Sequence, residues 1–140
     1  MIKKLKSKKR TGGGFETYLT PEQREHSKIV EFIRWNPKTK NTLWFHTMNE
    51  GKRTMFERFL WGVLGGRKGV SDFIFLAPRG KYAGLVFEHK PVGTLVYRKN
   101  GTCYFPDQEE FLKMATEAGF RAEFTIGTEN AITLLKDYFG

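Results

Sequence analysis

Apolar positions along this chain follow two rhythms, one of about 3.6 residues and one of two. Between Pro21 and Trp35, the residues Ile29, Phe32 and Ile33 recur at helical spacing. Thr20 as N-cap, Pro21 at the first helical position and Gln23 completing a capping box predict where that helix starts, and Asn36-Pro37 predicts where it stops. Residues 41–48 read as a strand. A second helix is predicted over residues 54–64, with a Thr54/Glu57 capping box, an apolar stripe of Phe56, Phe59, Leu60 and Val63, and a Gly65-Gly66 stop. Two apolar runs, residues 69–76 and 84–90, flank a turn-rich segment centred near Gly80, the pattern of a β-hairpin with a loop of several residues. A second hairpin is predicted around Arg98-Lys99-Asn100-Gly101, since Asn-Gly is a strong turn signal. A helix follows over residues 106–118, with Phe111, Leu112 and Met114 read as inward and Gly119 as its stop. Residues 120–126 alternate like a strand. Thr128 is read as the cap of a last helix bearing Ile132, Leu135 and Phe139. This order predicts one α/β domain, residues 15–140, built on a mixed sheet flanked by helices.

The central hairpin also carries chemistry. Alternation puts Val86, Glu88 and Lys90 on one face of its second strand, and Leu85, Phe87 and His89 on the other. A loop centred near Gly80 or Lys81 folds Asp72 back beside Glu88 or Lys90. Directly opposed residues have Cβ atoms only about 4.5–5.5 Å apart, so two carboxylates and an amine converge at the open end. Adjacent carboxylates repel unless a proton or a cation intervenes. Mg²⁺ suits such a gap, because it binds through one or two carboxylates plus waters and phosphate oxygens. The other reading is an edge hairpin whose terminal charges face solvent. On the first helix, Glu25 lies one turn before Ile29 on the apolar stripe. An inward carboxylate without a partner is costly, so a metal or a cation such as Lys90 should meet it. Glu22 roughly shares that face, in a first turn where the helix dipole favours acids anyway. Glu31 points the opposite way.

Charge narrows the class of partner. The net charge is +9, and residues 1–14 supply six of those charges through Lys3, Lys4, Lys6, Lys8, Lys9 and Arg10 before Gly12-Gly13-Gly14. This flexible basic arm is either a generic contact for nucleic acid or a solubilising tail. Lys52 and Arg53, Arg67 and Lys68, and Arg98 and Lys99 at the second hairpin's tip are further candidate phosphate contacts, with ordinary loop charge as the alternative. The single cysteine, Cys103, excludes an internal disulfide, and a Cys/His metal site lacks ligands. With no membrane-length apolar run and no apolar leader region, a cytoplasmic protein is expected.

Four motifs, one of them in two parts, extend this reading. Gly69-Val70-Ser71-Asp72, then Glu88-His89-Lys90, with Glu25, Asn49-Glu50-Gly51-Lys52-Arg53 and Pro106-Asp107-Gln108 around them, resemble the VRR-NUC (virus-type replication–repair nuclease) branch of the PD-(D/E)XK nuclease superfamily. The resemblance spans roughly residues 20–140. Ser71 stands where that branch usually has Pro, which removes a φ restraint but no ligand. The resemblance implies a restriction-endonuclease-like αβββαβ core; residues 94–105 depart from the family's short link and read as an inserted hairpin that widens the sheet, contacts DNA or builds a subunit interface. It implies that Glu25, Asp72, Glu88 and the His89 backbone carbonyl hold Mg²⁺ or Mn²⁺, that Lys90 positions or deprotonates the attacking water, and that Gln108 lies close to the metal. Stand-alone members, mostly from phages, cut branched DNA. A Holliday (four-way) junction resolvase acting as a homodimer on DNA, with no small-molecule substrate, is the implied function. A flap or restriction-type nuclease, or a non-catalytic nucleic-acid-binding protein of the same fold, are the alternatives.

Overall fold

A computed structural model describes residues 18–47 and 53–140. The basic arm and most of the Asn49–Arg53 stretch, Lys52 included, therefore lie outside the described residues. Helix α1 (Pro21–Trp35) begins as its sequence dictates: Gln23 N–H donates to Thr20 Oγ1, and Thr20 N–H donates to Gln23 Oε1. Helix α2 (Met55–Val63) repeats the reciprocal cap with Thr54 and Glu57. Four strands, β1 (Trp44–His46), β2 (Phe73–Phe75), β3 (Leu85–Lys90) and β4 (Arg121–Ile126), form a mixed sheet in the order β1-β2-β3-β4. Strands β1, β2 and β3 pair antiparallel in turn, and β4 runs parallel to β3 after the crossover through α3 (Pro106–Glu117). Helix α4 (Thr128–Phe139) closes the chain. No described helix is long and apolar enough to cross a membrane.

The core lies between one face of the sheet and helices α1 and α4. Ile29 and Ile33 of α1 and Ala131, Leu134, Leu135 and Tyr138 of α4 pack on Phe73, Phe75, Leu85 and Phe87. Phe73 and Phe87, paired across β2 and β3, stack with ring centroids 4.7 Å apart. On the other face, the Lys90 Nζ sits 3.8 Å over the ring of Phe105, the residue that precedes α3. The N-terminus of α3 thus covers the end of β3 opposite the core.

Several boundaries differ from the sequence reading. The first strand shortens to three residues, because Thr39 to Thr42 form a turn tied by Thr42 N–H to Thr39 O. The inserted hairpin keeps its turn, with Gly101 at φ 87° and Arg98 N–H donating to Thr102 O, yet its flanks pair only at the bridge between Tyr97 and Cys103. Gly127, not Thr128, caps α4: its N–H donates to Lys90 O, and the chain turns there at φ 80° before the helix begins. Met114 is exposed rather than inward, since α3 buries only the narrow stripe around Leu112. The stripe on α2 is the largest departure. Phe56, Phe59 and Val63 are 65–70% exposed, and no residue of this helix is buried.

Candidate active site

Asp72 immediately precedes β2, and Glu88 and Lys90 lie at the far end of β3. The antiparallel register pairs Phe73 with Phe87, so the next step along both strands sets Asp72 against Glu88. Two backbone hydrogen bonds lock this juxtaposition. Asp72 N–H donates to Glu88 Oε2 (3.1 Å), and His89 N–H donates to Asp72 Oδ2 (2.9 Å). Lys90 Nζ stands 3.4 Å from Glu88 Oε1, with both side chains buried. Two acids and an amine from the two strands therefore meet in a largely dry setting.

That setting dictates their ionisation. Burial pushes Glu88 up to about 8, nearby Asp72 adds to the rise, and Lys90 offsets part of it. Burial likewise raises Asp72 to about 6, against the opposing pull of the His89 amide. Carboxylates held this far above their usual range lack positive charge. A hard divalent cation fits their donor set of carboxylate and backbone oxygens. A second sign of incomplete solvation is the buried Gln108 Oε1, which has no hydrogen-bond partner. Gln108 is brought in by a close approach: a Cβ on Gly69 (φ 76°) would lie 2.2 Å from Asp107 O, so the loop leading to Asp72 presses on the first turn of α3.

The helical acid is placed differently from the expectation. Glu25 turns toward β3, where its Oε1 meets His89 Nε2 (2.9 Å) and its Oε2 accepts from Val92 N–H (3.0 Å). The other ring nitrogen of His89 meets Thr125 Oγ1 at 2.8 Å. This chain of contacts ties α1, β3 and β4 through a fully buried imidazole. Where sequence reasoning aimed Glu25 at the acids, α1 instead presents His26. His26 Nε2 lies 3.7 Å from Asp72 Oδ2 and 3.9 Å from Glu22 Oε1, and His26 Nδ1 is 3.0 Å from His46 Nε2. Burial, followed by the proximity of His46 and His89, lowers His26 to about 4, so its ring is neutral near pH 7. His26 was missed, although it shares a helical stripe with Ile29 and Ile33, three and seven residues on.

Among the candidate phosphate contacts, Arg53 folds over the ring of Trp61 and Arg98 over that of Tyr104. Arg67 reaches Met114 and the ring of Phe111. Lys68 and Lys99 are exposed.

A solved structure described as a VRR_NUC domain protein has this fold, with a TM-score of 0.66 and 22% sequence identity over 86% of this chain and 88% of that one. No family model and no curated protein matches the chain. The chain has a VRR-NUC-type α/β fold: a mixed four-stranded sheet flanked by helices.

Proposed function

We propose that this chain, which shares the fold of a VRR_NUC domain protein, is a metal-dependent, structure-selective DNA endonuclease that hydrolyses phosphodiester bonds, with four-way junctions as its substrate. The observation that carries the reading is the locked triad of Asp72, Glu88 and Lys90 at the ends of two paired strands. Asp72 and Glu88, with the His89 carbonyl, would hold Mg²⁺ or Mn²⁺. When bound, such an ion polarises a phosphoryl oxygen and lowers the pKa of an attached water. Lys90 is a donor beside Glu88, suited to orienting the attacking water and to neutralising charge gathering on the phosphoryl oxygens. Gln108, with an unused amide oxygen at the start of α3, is suited to hold that water or the amine of Lys90. Glu25 acts at one remove, fixing the His89 ring and with it the backbone between Glu88 and Lys90.

The cations Lys52, Arg53, Arg67, Lys68, Arg98 and Lys99, with the basic arm, are proposed to hold the DNA backbone. The net charge of +9 supports a polyanionic partner. Symmetric cutting of a junction calls for a two-fold dimer, and the apolar face of α2, which no described residue covers, supports one. A cytoplasmic location is proposed together with that role.

The deciding experiment compares nicking of labelled four-way junction, flap and plain duplex with Mg²⁺, with Mn²⁺ and with chelator. Junction cleavage that needs the ion and disappears in Asp72→Ala and Lys90→Ala supports the proposal. Preference for flaps or duplex would replace the substrate assignment. Tight junction binding without any cleavage would leave a DNA-binding protein.

A further inference from the structure

One buried side chain beside Asp72 takes no part in the proposed cleavage. His26 is only 5% exposed, yet its Nε2 has no hydrogen-bond partner. It points at two carboxylate oxygens, Asp72 Oδ2 at 3.7 Å and Glu22 Oε1 at 3.9 Å. Both separations are too long for a hydrogen bond. If that nitrogen carries a proton, the proton is wasted; if it carries a lone pair, the lone pair faces negative oxygen. Either state is costly in a buried position. A cation between the ring and the acids removes the conflict.

The neighbouring donors make the place specific. One donor atom from each of His26, His46 and Asp72 lies within 4.8 Å of the other two. Two ligand atoms on a single ion at about 2.1 Å each can stand no more than ~4.2 Å apart, so a contraction of roughly half an ångström completes the set. His46 can supply it, being only half-buried on the short edge strand β1. His26 is held in place by contacts with the rings of Phe73 and His89.

We propose that His26, His46 and Asp72 form a site for a borderline transition ion such as Zn²⁺ or Co²⁺, with Glu22 at its mouth, distinct from the oxygen-lined position between Asp72 and Glu88 but sharing Asp72 with it. Two imidazoles with one carboxylate disfavour Mg²⁺ and select ions of the zinc and cobalt kind. Asp72 has two oxygens, so it can serve both positions. The site stands whether or not the chain cuts DNA.

The test is titration of the full chain with Co²⁺ alone, followed by its visible d–d absorption and by calorimetry, with no DNA present. One strong equivalent is expected. His46→Ala should weaken it about tenfold or more while Glu88→Gln leaves it nearly unchanged. His46 is chosen because replacing the buried His26 risks unfolding; His26→Gln, checked for folding by circular dichroism, should also lose the spectrum. Co²⁺ binding that ignores His46→Ala would place the ion between Asp72 and Glu88 and overturn the proposal. So would loss of binding in Glu88→Gln, or no binding by the unaltered chain.

Discussion

Glu25 grips His89 from the side: its Oε1 lies 2.9 Å from the imidazole Nε2, while Oε2 takes the Val92 amide. His89 is fully buried, and its backbone N–H is the group that fixes Asp72. A helix carboxylate thus holds the residue whose backbone amide holds Asp72. Replacing Glu25 by Gln keeps the shape but removes the charge from this contact. The expected cost is about 1–3 kcal/mol in urea denaturation, with divalent-ion affinity changed much less than in Asp72→Asn. If Glu25→Gln loses ion binding to the same degree as Asp72→Asn, Glu25 is a ligand after all.

Glu88 makes stability depend on pH in a direction that can be stated in advance. The folded protein raises its carboxyl from an ordinary 4.5 to about 8, so between those values the folded state keeps a proton that the unfolded chain has released. The unfolded state then binds fewer protons, and stability falls as pH rises through this window. Chelated protein should therefore melt several degrees lower at pH 8 than at pH 5.5. Glu88→Gln should flatten that slope and raise the melting temperature at pH 8, whereas Mg²⁺ or Mn²⁺ should rescue only the unaltered chain. A parallel slope in both proteins would mean that Glu88 ionises normally.

These two acids also mark how far the sequence reached. Convergence of Asp72 with Glu88 or Lys90 was legible from strand alternation and a loop near Gly80 or Lys81, and the register that pairs Phe73 with Phe87 is what sets Asp72 against Glu88. The choice between Glu25 and His26 was not. Both lie near the stripe of Ile29 and Ile33, one residue and about 100° apart, and only the way α1 crosses β3 decides which faces Asp72. The buried His89, which captures Glu25, belongs to a different element and leaves no periodic signal on the helix. For residues 94–105 the Asn-Gly turn was written in the chain, and the flanks pair at the bridge between Tyr97 and Cys103.

Gly69 lies where the loop carrying Asp72 meets α3. It sits at φ 76°, where a side chain is strained, and a Cβ there would meet Asp107 O at 2.2 Å. Gly69→Ala must push the first turn of α3 away from the loop that carries Asp72. A loss of about 2–4 kcal/mol is expected from strain and the clash combined, along with a fall in cleavage larger than any fall in DNA affinity. Equal losses in cutting and binding would mean that α3 holds DNA rather than the reacting end of the site.

The amine on β3 separates positioning from charge. Lys90 is buried between Glu88 Oε1 and the ring of Phe105, so its methylenes are packed as well as its head. Lys90→Met keeps most of that packing and removes the donor. Cleavage should fall by about 10²–10⁴-fold, with junction affinity and far-ultraviolet circular dichroism nearly unchanged. Activity retained in Lys90→Met would remove the lysine from the proposed chemistry and leave the two acids to act alone.

Helix α2 presents an apolar stripe to solvent. A nine-residue helix is marginal in water without a surface to pack on, yet Phe56, Phe59 and Val63 lie open to solvent and none of its residues is buried. Periodicity announced an apolar face, and nothing among the described residues covers it. Apolar patches of this kind mark association surfaces, and a second copy of the chain would bring two proposed cutting sites together as a junction requires. Phe59→Glu should convert a dimer seen by sedimentation equilibrium into a monomer. In that variant, single nicks on a junction should persist while paired, symmetric cuts are lost. An unaltered chain that sediments as a monomer at every concentration tested would end the dimer reading, and with it the resolvase assignment, while leaving the Asp72, Glu88 and Lys90 site to be judged on its own chemistry.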